Sequence, residues 1–459
     1  MQGVGSATVT PPNRLRNVSS VVKADMCTGC GTCSVFCPKE AITVKNSEDK
    51  GTYDAEIDLA KCVFCGVCTQ ICPRLELNIQ LLNKEIFGHQ PASLVFGNFL
   101  ECYSGYSNFF NSKLTDYVSS GGMATQLLVF ALENGIIDGA LVTRFDKKKP
   151  LEPQGFLATT VDEIISAAGS KYCSCPTNLG LRELLHRKGK FAVIGLPCHI
   201  QAIRKAQQVF PELRERIVLT IGLFCAFTIV SQGIDVLLRK LKIERNNVAR
   251  FSFRGHGWPG KMAVSDRDGK LQGIPLMAKK PGIPFVWLSY GSYLPLFCSY
   301  LFAPWSCLFC QDHFNQLSDI SLGDAWLREF RKSPIGLSLV VVRSEKGRLL
   351  VQKAISANTI TMKEISCEKV IESQADAVRF KTKHWRSRVS LAQKMGKATP
   401  PYIFTPEESS SVGSYAASAL RLHLIRIRRR RFAAAFFAGL PLSCYNIYNG
   451  IFYVLEKLP

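Results

Sequence analysis

Two stretches of the chain decide the fold of its N-terminal part: CTGCGTCSVFCP at residues 27–38 and CVFCGVCTQICP at residues 62–73. Both follow the pattern CxxCxxCxxxCP and start 35 residues apart, so this region is an internal repeat. Thiolates at three-residue intervals can wrap three corners of an iron–sulfur cubane, and the small glycines between them let backbone amides approach the sulfur atoms. A module this small and poor in apolar residues folds only with its metal.

The fourth cysteine of each block, which precedes a proline, ligates the other cluster in bacterial two-cluster ferredoxins. A structural zinc site is the alternative, but it usually needs two CxxC pairs and fits these triplets poorly. We therefore predict a small α+β ferredoxin domain with two [4Fe-4S] clusters over residues 21–90. The predicted ligand sets are Cys27, Cys30, Cys33 and Cys72 for one cluster, and Cys37, Cys62, Cys65 and Cys68 for the other.

Composition limits the class of protein. The 459 residues leave room for about two to four domains, and 47% hydrophobic residues exclude a disordered chain. Lys+Arg 57 against Asp+Glu 36 give a net charge of +21, which favours anionic ligands or surfaces. We expect no nucleic-acid partner, because the cations are not interleaved with aromatic motifs. The 18 cysteines cluster at metal-ligand spacings and no apolar signal segment is present, so we expect a reducing cytoplasm.

The rest of the chain divides into three further parts. Residues 1–20 are polar and aperiodic, as expected of a flexible leader. Residues 91–370 alternate short β-rich runs with helical stretches, which predicts an α/β domain with a largely parallel sheet. The expected strands include residues 140–144, 191–195, 217–224 and 338–343. Residues 371–459 form a basic C-terminal extension.

Four cysteines of the α/β domain occupy positions that suggest a third iron–sulfur site. Cys198 and Cys225 each follow an expected strand, and carboxyl ends of parallel strands are where open α/β sheets bind ligands. Cys307 and Cys310 form a CxxC pair ahead of the expected strand in DISLGDAW, residues 319–326. The alternative is that these are ordinary buried thiols. The other six cysteines are interpreted as core or surface thiols, with a redox-active pair at Cys173 and Cys175 left open.

Three segments have features of a site for a flavin or another dinucleotide. In VSSGGMATQLLVF, residues 118–130, two serines and two glycines precede an expected helix. Small residues at a helix N-terminus favour a phosphate, because free backbone amides point outward there. The alternative is an ordinary helix cap. A lysine in AGSKY and an indole in FRGHGWPGK add a cation and a stacking ring. No catalytic residue is assigned. The candidate cofactor-binding residues are Ser119, Ser120, Gly121, Gly122, Ser170, Lys171, Tyr172 and Trp258.

The C-terminal extension concentrates charge. Residues 375–459 contain 14 Lys/Arg and 4 Asp/Glu, a net charge of +10, which favours a separate basic tail. The cluster Arg426–Arg431 precedes an uncharged segment, Phe432–Leu455. Two such adjoining signals predict reversible docking on an anionic membrane or on a membrane-complex partner. The alternative is a C-terminal helix packed on the protein's own core.

The ordered motifs SSGGMATQLL, AGSKY, GLPCHIQAIRK, GLFC, FRGHGW, SCLFC and DISLGDAW resemble the family of coenzyme F420 hydrogenase/dehydrogenase beta subunits, and the resemblance covers residues 21–350. It implies FAD or FMN beside an iron–sulfur cluster. Residue by residue, it assigns cluster ligation to Cys198, Cys225, Cys307 and Cys310. It also implies cofactor contacts at Ser120, Gly121, Gly122, Ser170 and Lys171.

The expected architecture is therefore an α/β flavin and iron–sulfur domain, preceded by a small α+β two-cluster ferredoxin domain and followed by a basic extension. The expected function is a flavin-dependent oxidoreductase that couples hydride chemistry, with coenzyme F420 or another small redox substrate, to one-electron transfer through [4Fe-4S] clusters. A ferredoxin-like or redox-complex protein is the expected partner. Two alternatives remain open: a ferredoxin-dependent reductase of a glycan-pathway or tetrapyrrole substrate, and a non-catalytic electron-relay subunit.

Overall fold

The two cysteine blocks flank a β-hairpin. A computed structural model describes residues 17–109, 118–255, 257–267, 286–333, 336–400, 411–429, 436–437 and 439–458. The N-terminal region comprises α1 (Ser19–Lys23), α2 (Thr32–Val35), β1 (Ile42–Ser47), β2 (Thr52–Ile57), α3 (Val67–Gln70) and α4 (Ile79–Phe87). Gly31 and Gly66 precede α2 and α3 at φ of 94° and 80°, a conformation that favours glycine.

The remaining strands form a large sheet and a small one. In chain order they are β3 (Glu101–Ser107), β4 (Gly139–Phe145), β5 (Pro153–Ala158), β6 (Phe191–Gly195), β7 (Ile217–Leu223), β8 (Val248–Ser252), β9 (Lys261–Asp266), β10 (Val286–Ser289), β11 (Ile320–Asp324), β12 (Ser338–Val342) and β13 (Ile360–Glu364). The eight-stranded sheet has the order β13-β3-β12-β11-β7-β6-β4-β5, and the three-stranded antiparallel sheet has the order β10-β9-β8.

The expectation of a largely parallel sheet is wrong, although the strands themselves lie where the sequence predicts them. Only the centre, β11-β7-β6-β4, is parallel, while β5, β12, β3 and β13 pair antiparallel. A parallel return needs a long crossover, usually a helix. The described residues between β11 and β12 contain only a short 3-10 turn at Arg328–Lys332, and β12 accordingly returns antiparallel.

Helices cover both faces of the large sheet and build the C-terminal region. They are α5 (Met123–Glu133), α6 (Val161–Ser166), α7 (Leu181–His186), α8 (Pro197–Val209), α9 (Leu213–Arg216), α10 (Ser231–Lys240), α11 (Tyr290–Cys298), α12 (Glu345–Ser356), α13 (Cys367–Ser373), α14 (Ala375–Lys381), α15 (Trp385–Lys394), α16 (Val412–Arg428) and α17 (Leu442–Leu455). The expected helix after the Ser-Ser-Gly-Gly segment is α5. Among the described residues, no helix has both the length and the apolar composition needed to cross a bilayer.

Alternate residues along the central strands enter two separate cores, as the two-residue period of a strand requires. Ala140 and Val142 pack with residues of α5 and α12 on one face. Leu141 packs on the other face with α7 and α8, and also with Leu82 of α4. Helix α4, which the sequence places in the ferredoxin domain, is thus part of the core of the α/β domain. At the other end, α1 begins within the expected leader, whose residues 1–16 lie outside the described part of the chain.

The expectation of a separate basic tail is also wrong. Trp385, Leu422 and Tyr445 of the extension are buried in one core with residues of α10, α11 and the small sheet. Several of its cations are internal: Arg388 stacks on Phe380 with 3.7 Å from the guanidinium carbon to the ring centroid. Stacking on aromatic rings and hydrogen bonds to carbonyl oxygens satisfy the buried guanidinium groups. The burial of the aromatic and aliphatic side chains between these cations further offsets the cost of removing the cations from water.

Asp319, the first residue of the DISLGDAW motif, joins the sheet to a helix. Its buried carboxylate accepts hydrogen bonds from the Thr220 amide at 2.8 Å and from the Ser344 hydroxyl at 2.8 Å, and it pairs with Arg204 at 3.3 Å. Burial alone would raise its pKa, but Arg204 and Lys346 lower the pKa below the usual value for aspartate. The motif's first carboxylate is therefore a structural link between β7, β11 and α12.

Candidate functional site

The first ferredoxin cysteine set surrounds a cavity. Burial raises the pKa of the Cys33 thiol well above its usual value, and the neighbouring thiols of Cys30 and Cys27 raise it further. The next neighbour is Cys72, from the other block. The Gly29 amide donates a hydrogen bond to Cys27 Sγ at 3.4 Å. The structure thus brings together one predicted ligand set, and the cavity is lined by Cys27, Cys30, Cys33 and Cys72.

The second set gathers the remaining four cysteines of the repeat. Burial raises the pKa of the Cys68 thiol, and its thiol neighbours are Cys65, Cys37 and Cys62. The Ala41 amide donates to Cys37 Sγ at 3.3 Å. Cys65 is exposed, so this set lies at the surface of the protein. It is also bordered by exposed apolar side chains, Leu59, Val63 and Phe64.

The four cysteines predicted for a third site line one further cavity. Cys198 is in the first turn of α8 after β6, and Cys225 follows β7, so both lie at carboxyl ends of adjacent parallel strands. Cys307 and Cys310 come from the 3-10 turn Trp305–Phe309 and the residue after it. Burial raises the pKa of Cys225 to about 12. The pKa of Cys310 is instead below its usual value, because Lys381 and Arg74 outweigh its burial.

The cavity of the first ferredoxin set and the cavity of the predicted third site, called the first and third cavities after their sites, share part of their wall. Cys27, Thr28 and Arg74 line both of them. The ferredoxin domain is fixed in this position by Asn178, whose amide donates to Cys30 O at 3.0 Å and whose side chain donates to Thr32 Oγ1 at 2.8 Å. A Cβ on Gly31 would lie 2.9 Å from Leu179 Cγ, so the two domains touch at van der Waals distance here.

The cysteine sets fit clusters in their donor chemistry. Four thiol ligands around a cavity are the usual ligation of a [4Fe-4S] cluster. No group of three or more His, Cys, Asp or Glu side chains in the described ranges is arranged to hold a single metal ion. Cys173 and Cys175, the pair left open as redox-active, are both buried, burial raises the pKa of both thiols, and Cys175 also lines the third cavity.

The candidate cofactor segments converge near the small sheet. The Ser170 amide donates to Ser119 Oγ at 2.9 Å, and the buried Arg254 guanidinium donates to the Ser119 carbonyl and to Tyr172 Oη. Arg254 also pairs with Asp324 and lies 5.0 Å from the Trp258 ring. Four segments that are distant in sequence therefore meet at one cation.

Aromatic rings surround that cation. The ring centroids of Trp258 and Trp326 are 4.8 Å apart, and Tyr290 stacks on Trp326 with a centroid distance of 5.5 Å and an interplanar angle of 15°. The Arg254 guanidinium carbon is 4.9 Å from the Tyr290 ring. We call Arg254, Trp258, Tyr290 and Trp326 the aromatic cage. Such a group can bind a flat conjugated ligand by stacking.

Other predicted cofactor residues have internal partners. Ser120 Oγ donates to Leu337 O at 2.8 Å, and a Cβ on Gly121 would lie 2.5 Å from the Gly105 carbonyl oxygen, so both are fixed by the sheet. Gly122, at φ 74°, is the N-cap residue that precedes α5. Lys171 donates to the carbonyls of Ala167, Ala168 and Gly169, and burial lowers its pKa to about 8. His256, in the FRGHGWPGK segment, lies outside the described residues. The rings of the aromatic cage stack on one another around Arg254, and these other predicted cofactor residues are bonded within the protein.

Sequence reasoning missed several residues that border these sites. Arg74 and Lys381 line the third cavity, and Trp326 and Tyr290 complete the cage. Arg74 directly follows the second CP, and Trp326 ends a quoted motif, so both had a positional signal. Lys381 had none, because only the fold brings α14 to the CxxC turn.

The chain matches three family models. They are the 4Fe-4S dicluster domain at residues 26–74, the N-terminal model of the coenzyme F420 hydrogenase/dehydrogenase beta subunit at residues 103–182, and the C-terminal model of the same beta subunit at residues 188–368. The dicluster match contains both cysteine blocks. The C-terminal match contains the four cysteines of the third cavity.

Relatives of the same kind are found among characterised proteins. The coenzyme F420 hydrogenase subunit beta of Methanosarcina barkeri is 28% identical over 279 residues, which cover 59% of this chain and 83% of the relative. One subunit of the F(420)H(2) dehydrogenase of Methanosarcina mazei is 27% identical over 335 residues, 70% of this chain and 82% of the relative. The coenzyme F420-dependent sulfite reductase of Methanocaldococcus jannaschii is 25% identical, with 81% and 52% covered.

A solved structure shares the fold. One chain in the structure of the F420-reducing [NiFe] hydrogenase complex from Methanosarcina barkeri superposes with a TM-score of 0.50 at 23% identity, covering 67% of this chain and 97% of that chain. Three observations indicate the same family: the matches to the family models, the order of the motifs and the positions of their cysteines. The chain belongs to the family of coenzyme F420 hydrogenase/dehydrogenase beta subunits and has a ferredoxin-type dicluster domain at its N-terminal side.

Proposed function

We propose that the chain is an iron–sulfur flavoenzyme of the cytoplasm that exchanges electrons between a small hydride-carrying substrate and a redox protein, through three [4Fe-4S] clusters. The observation that carries this proposal is the wall shared by the first and third cysteine cavities. Clusters held in neighbouring cavities would be close enough for single electrons to pass. The exposed second cysteine set would then be the point of exchange with a protein partner.

The proposed place for a flavin is the aromatic cage. Its support is the convergence of the Ser119, Ser170, Tyr172 and Trp258 segments on Arg254, at the carboxyl end of β11. FAD or FMN, when bound, would supply the exchange between hydride and single electrons. Arg254 would hold the neighbouring cage residues in place. The aromatic side chains of the cage would exclude water from one face of the flavin ring.

Coenzyme F420 is the proposed substrate, since three of the relatives above carry it in their names. Its phosphodiester and carboxylates would also suit a chain with a net charge of +21. The alternatives keep the same clusters but change the reaction. A glycan-pathway or tetrapyrrole substrate would replace F420, and a relay subunit would carry electrons without a substrate of its own.

Cofactor analysis under anaerobic conditions tests the proposal. We expect about twelve irons per chain with matching sulfide, from three cubanes, and about one flavin. The same protein should reduce a one-electron dye with reduced F420, and an assay without protein sets the background rate. Protein with intact clusters but no flavin and no F420-dependent rate would contradict the flavoenzyme and favour the relay. A zinc-rich, colourless preparation would contradict the clusters.

We further propose that the extension contacts an anionic membrane through α17. This helix packs on α11 and α16 with Tyr445 and Phe452 inward. Its outer face carries an apolar stripe, with Ile447 67%, Ile451 50% and Val454 60% exposed, and Leu458, which follows the helix, is 47% exposed. The expected basic cluster is only partly available, because Arg428 is buried and Arg429 pairs with Asp25, while Arg426 is exposed and Arg430 and Arg431 lie outside the described residues.

A vesicle assay tests this contact. Binding to anionic liposomes should weaken about tenfold or more when Ile451→Ser and Val454→Ser are combined. The reason is that these variants remove two apolar side chains that the membrane would bury. Truncation at Ser418 is a poorer test, since it removes buried Leu422 and Tyr445 from the core. Leu349→Ser, at an exposed position of α12, is the matched control. Equal binding of all forms, or equal binding to neutral vesicles, would refute the contact.

A further inference from the structure

The wall of the third cysteine cavity contains two buried cations from different parts of the chain. Lys381, at the end of α14, is 1% exposed, and its Nζ donates to the Asp312 carbonyl at 2.6 Å. The same Nζ lies 3.6 Å from Cys310 Sγ, within reach of a hydrogen bond to sulfur. Lys381 therefore presents its charge directly to one of the four cysteines.

Arg74 presents a second charge from the ferredoxin side. It is 8% exposed, and its Nη2 donates to the Ser306 carbonyl at 3.4 Å, next to Cys307. Its Nε is buried and has no hydrogen-bond partner among the described residues. Because Arg74 lines the first and the third cavity, its guanidinium lies between the two cysteine sets.

Neither cation forms an ion pair with a carboxylate in the described part of the chain. Asp312 offers Lys381 its carbonyl, while the Asp312 carboxylate accepts from Gln201 Nε2 at 3.0 Å. The cysteine sulfur atoms of the third cavity lie beside both cations, and the charge of Asp312 also acts on Lys381. Consistent with this, the pKa values of Arg74 and Lys381 are raised despite burial, chiefly by the cysteines of the third cavity.

Both cations come from outside the beta-subunit models that match this chain. Arg74 is the last residue of the dicluster match, and Lys381 lies beyond residue 368, where the C-terminal match ends. The extension also supports the CxxC turn itself: Trp385 Nε1 donates to Phe309 O at 2.9 Å, and Arg388 Nε donates to Leu308 O at 2.9 Å. A segment that precedes the beta-subunit models and one that follows them thus both contact the third site.

We propose that Arg74 and Lys381 are a pair of positioning cations that raise the reduction potential of a cluster held by Cys198, Cys225, Cys307 and Cys310. This inference rests on the third cluster of the proposed function. Reduction adds one negative charge to a cluster, and a buried cation stabilises that charge strongly because the surrounding dielectric is low. Among the described residues, no buried cation donates a hydrogen bond to a sulfur atom of the more exposed second set. Arg74 and the buried Lys205, whose Nζ donates to Cys72 O at 2.8 Å, also lie beside the first ferredoxin set, so the third site would attract electrons chiefly from the second set.

Potentiometric titration of the whole protein, followed by electron paramagnetic resonance, tests the pair. The third cluster's signal is identified as the one that Cys225→Ser removes. In Arg74→Gln and in Lys381→Gln, we expect the equilibrium constant for its reduction to fall at least tenfold, which is 59 mV for a one-electron couple. Arg74→Lys and Lys381→Arg keep the charge and should stay close to the unaltered protein. Arg386→Gln, an exposed cation on α15, is the matched control.

The outcomes separate this inference from the proposed function. If the unaltered protein lacks a signal that depends on Cys225, the third cluster is refuted and the inference falls with it. If that signal is present and titrates unchanged in both Gln variants, or shifts equally in the charge-retaining ones, only the inference is refuted. Iron lost in a Gln variant but retained in its charge-keeping partner supports the role of charge. Iron lost in both contradicts it.

Discussion

Cys225→Ser should lose about four irons per chain and keep the eight of the ferredoxin domain. The thiol lies at the end of β7, next to Cys198 at the end of β6 and facing the CxxC turn across one cavity. A serine hydroxyl is a far poorer ligand than a thiolate, so the third cluster should not assemble. The rate of electron transfer from reduced F420 to a one-electron dye should then fall by about a hundredfold or more. The reason is that the cavity beside the first ferredoxin set would lack its iron–sulfur cluster.

Cys102→Ser is the matched control for this variant. Cys102 is also a buried cysteine of the large sheet, but it lies on β3 among apolar residues such as Leu339 and Val341. Its replacement should leave iron content and dye reduction near those of the unaltered protein. Unchanged iron and unchanged spectra in Cys225→Ser would mean that Cys225 is an ordinary core thiol. Loss of ferredoxin iron as well would show that the variant misfolds, and Cys307→Ser would then repeat the test on a different loop.

The ferredoxin repeat was predictable from sequence because its ligands are local. The spacing CxxCxxCxxxCP fixes which thiols can reach one cluster, and the glycines at positive φ lie inside the same short blocks. Strand ends could be predicted almost as well: β6 ends three residues before Cys198 and β7 ends two residues before Cys225. Those positions follow from runs of buried residues in a central sheet, which leave a strong apolar pattern.

The burial of the C-terminal cations, and their contacts with residues distant in sequence, could not be predicted from the sequence. Net charge suggested a solvated tail, yet Lys381, Arg388 and Arg421 are buried in the protein. Their burial depends on carbonyls and rings from other segments; the Arg421 guanidinium carbon, for example, lies 4.3 Å from the Phe452 ring. Arg74 and Lys381 meet at one cavity although 307 positions separate 74 from 381. No period or spacing in the sequence encodes such a meeting.

Arg254→Met should strongly destabilise the protein, and it should also abolish flavin binding. The Arg254 side chain is fully buried and donates to the Pro259 carbonyl at 2.9 Å and to Tyr172 Oη at 2.9 Å, besides its contacts with Ser119 and Asp324. Removing it leaves a half-buried carboxylate and two carbonyls without their donor. Breaking a buried pair on one side costs about 3 to 5 kcal/mol, so the free energy of unfolding should fall by about that much. Chemical denaturation measures this change.

The double variant Arg254→Met with Asp324→Asn separates the fold from the ligand. Removing the partner charge should recover about half or more of the lost stability, since the uncompensated carboxylate carries most of the penalty. Flavin content should stay low in both, because the cation at the centre of the aromatic cage is still missing. Arg250→Met, at an exposed position of β8, should change neither quantity. Full flavin content in the recovered double variant would show that Arg254 serves only the fold, and that the cage is packed core rather than a cofactor site.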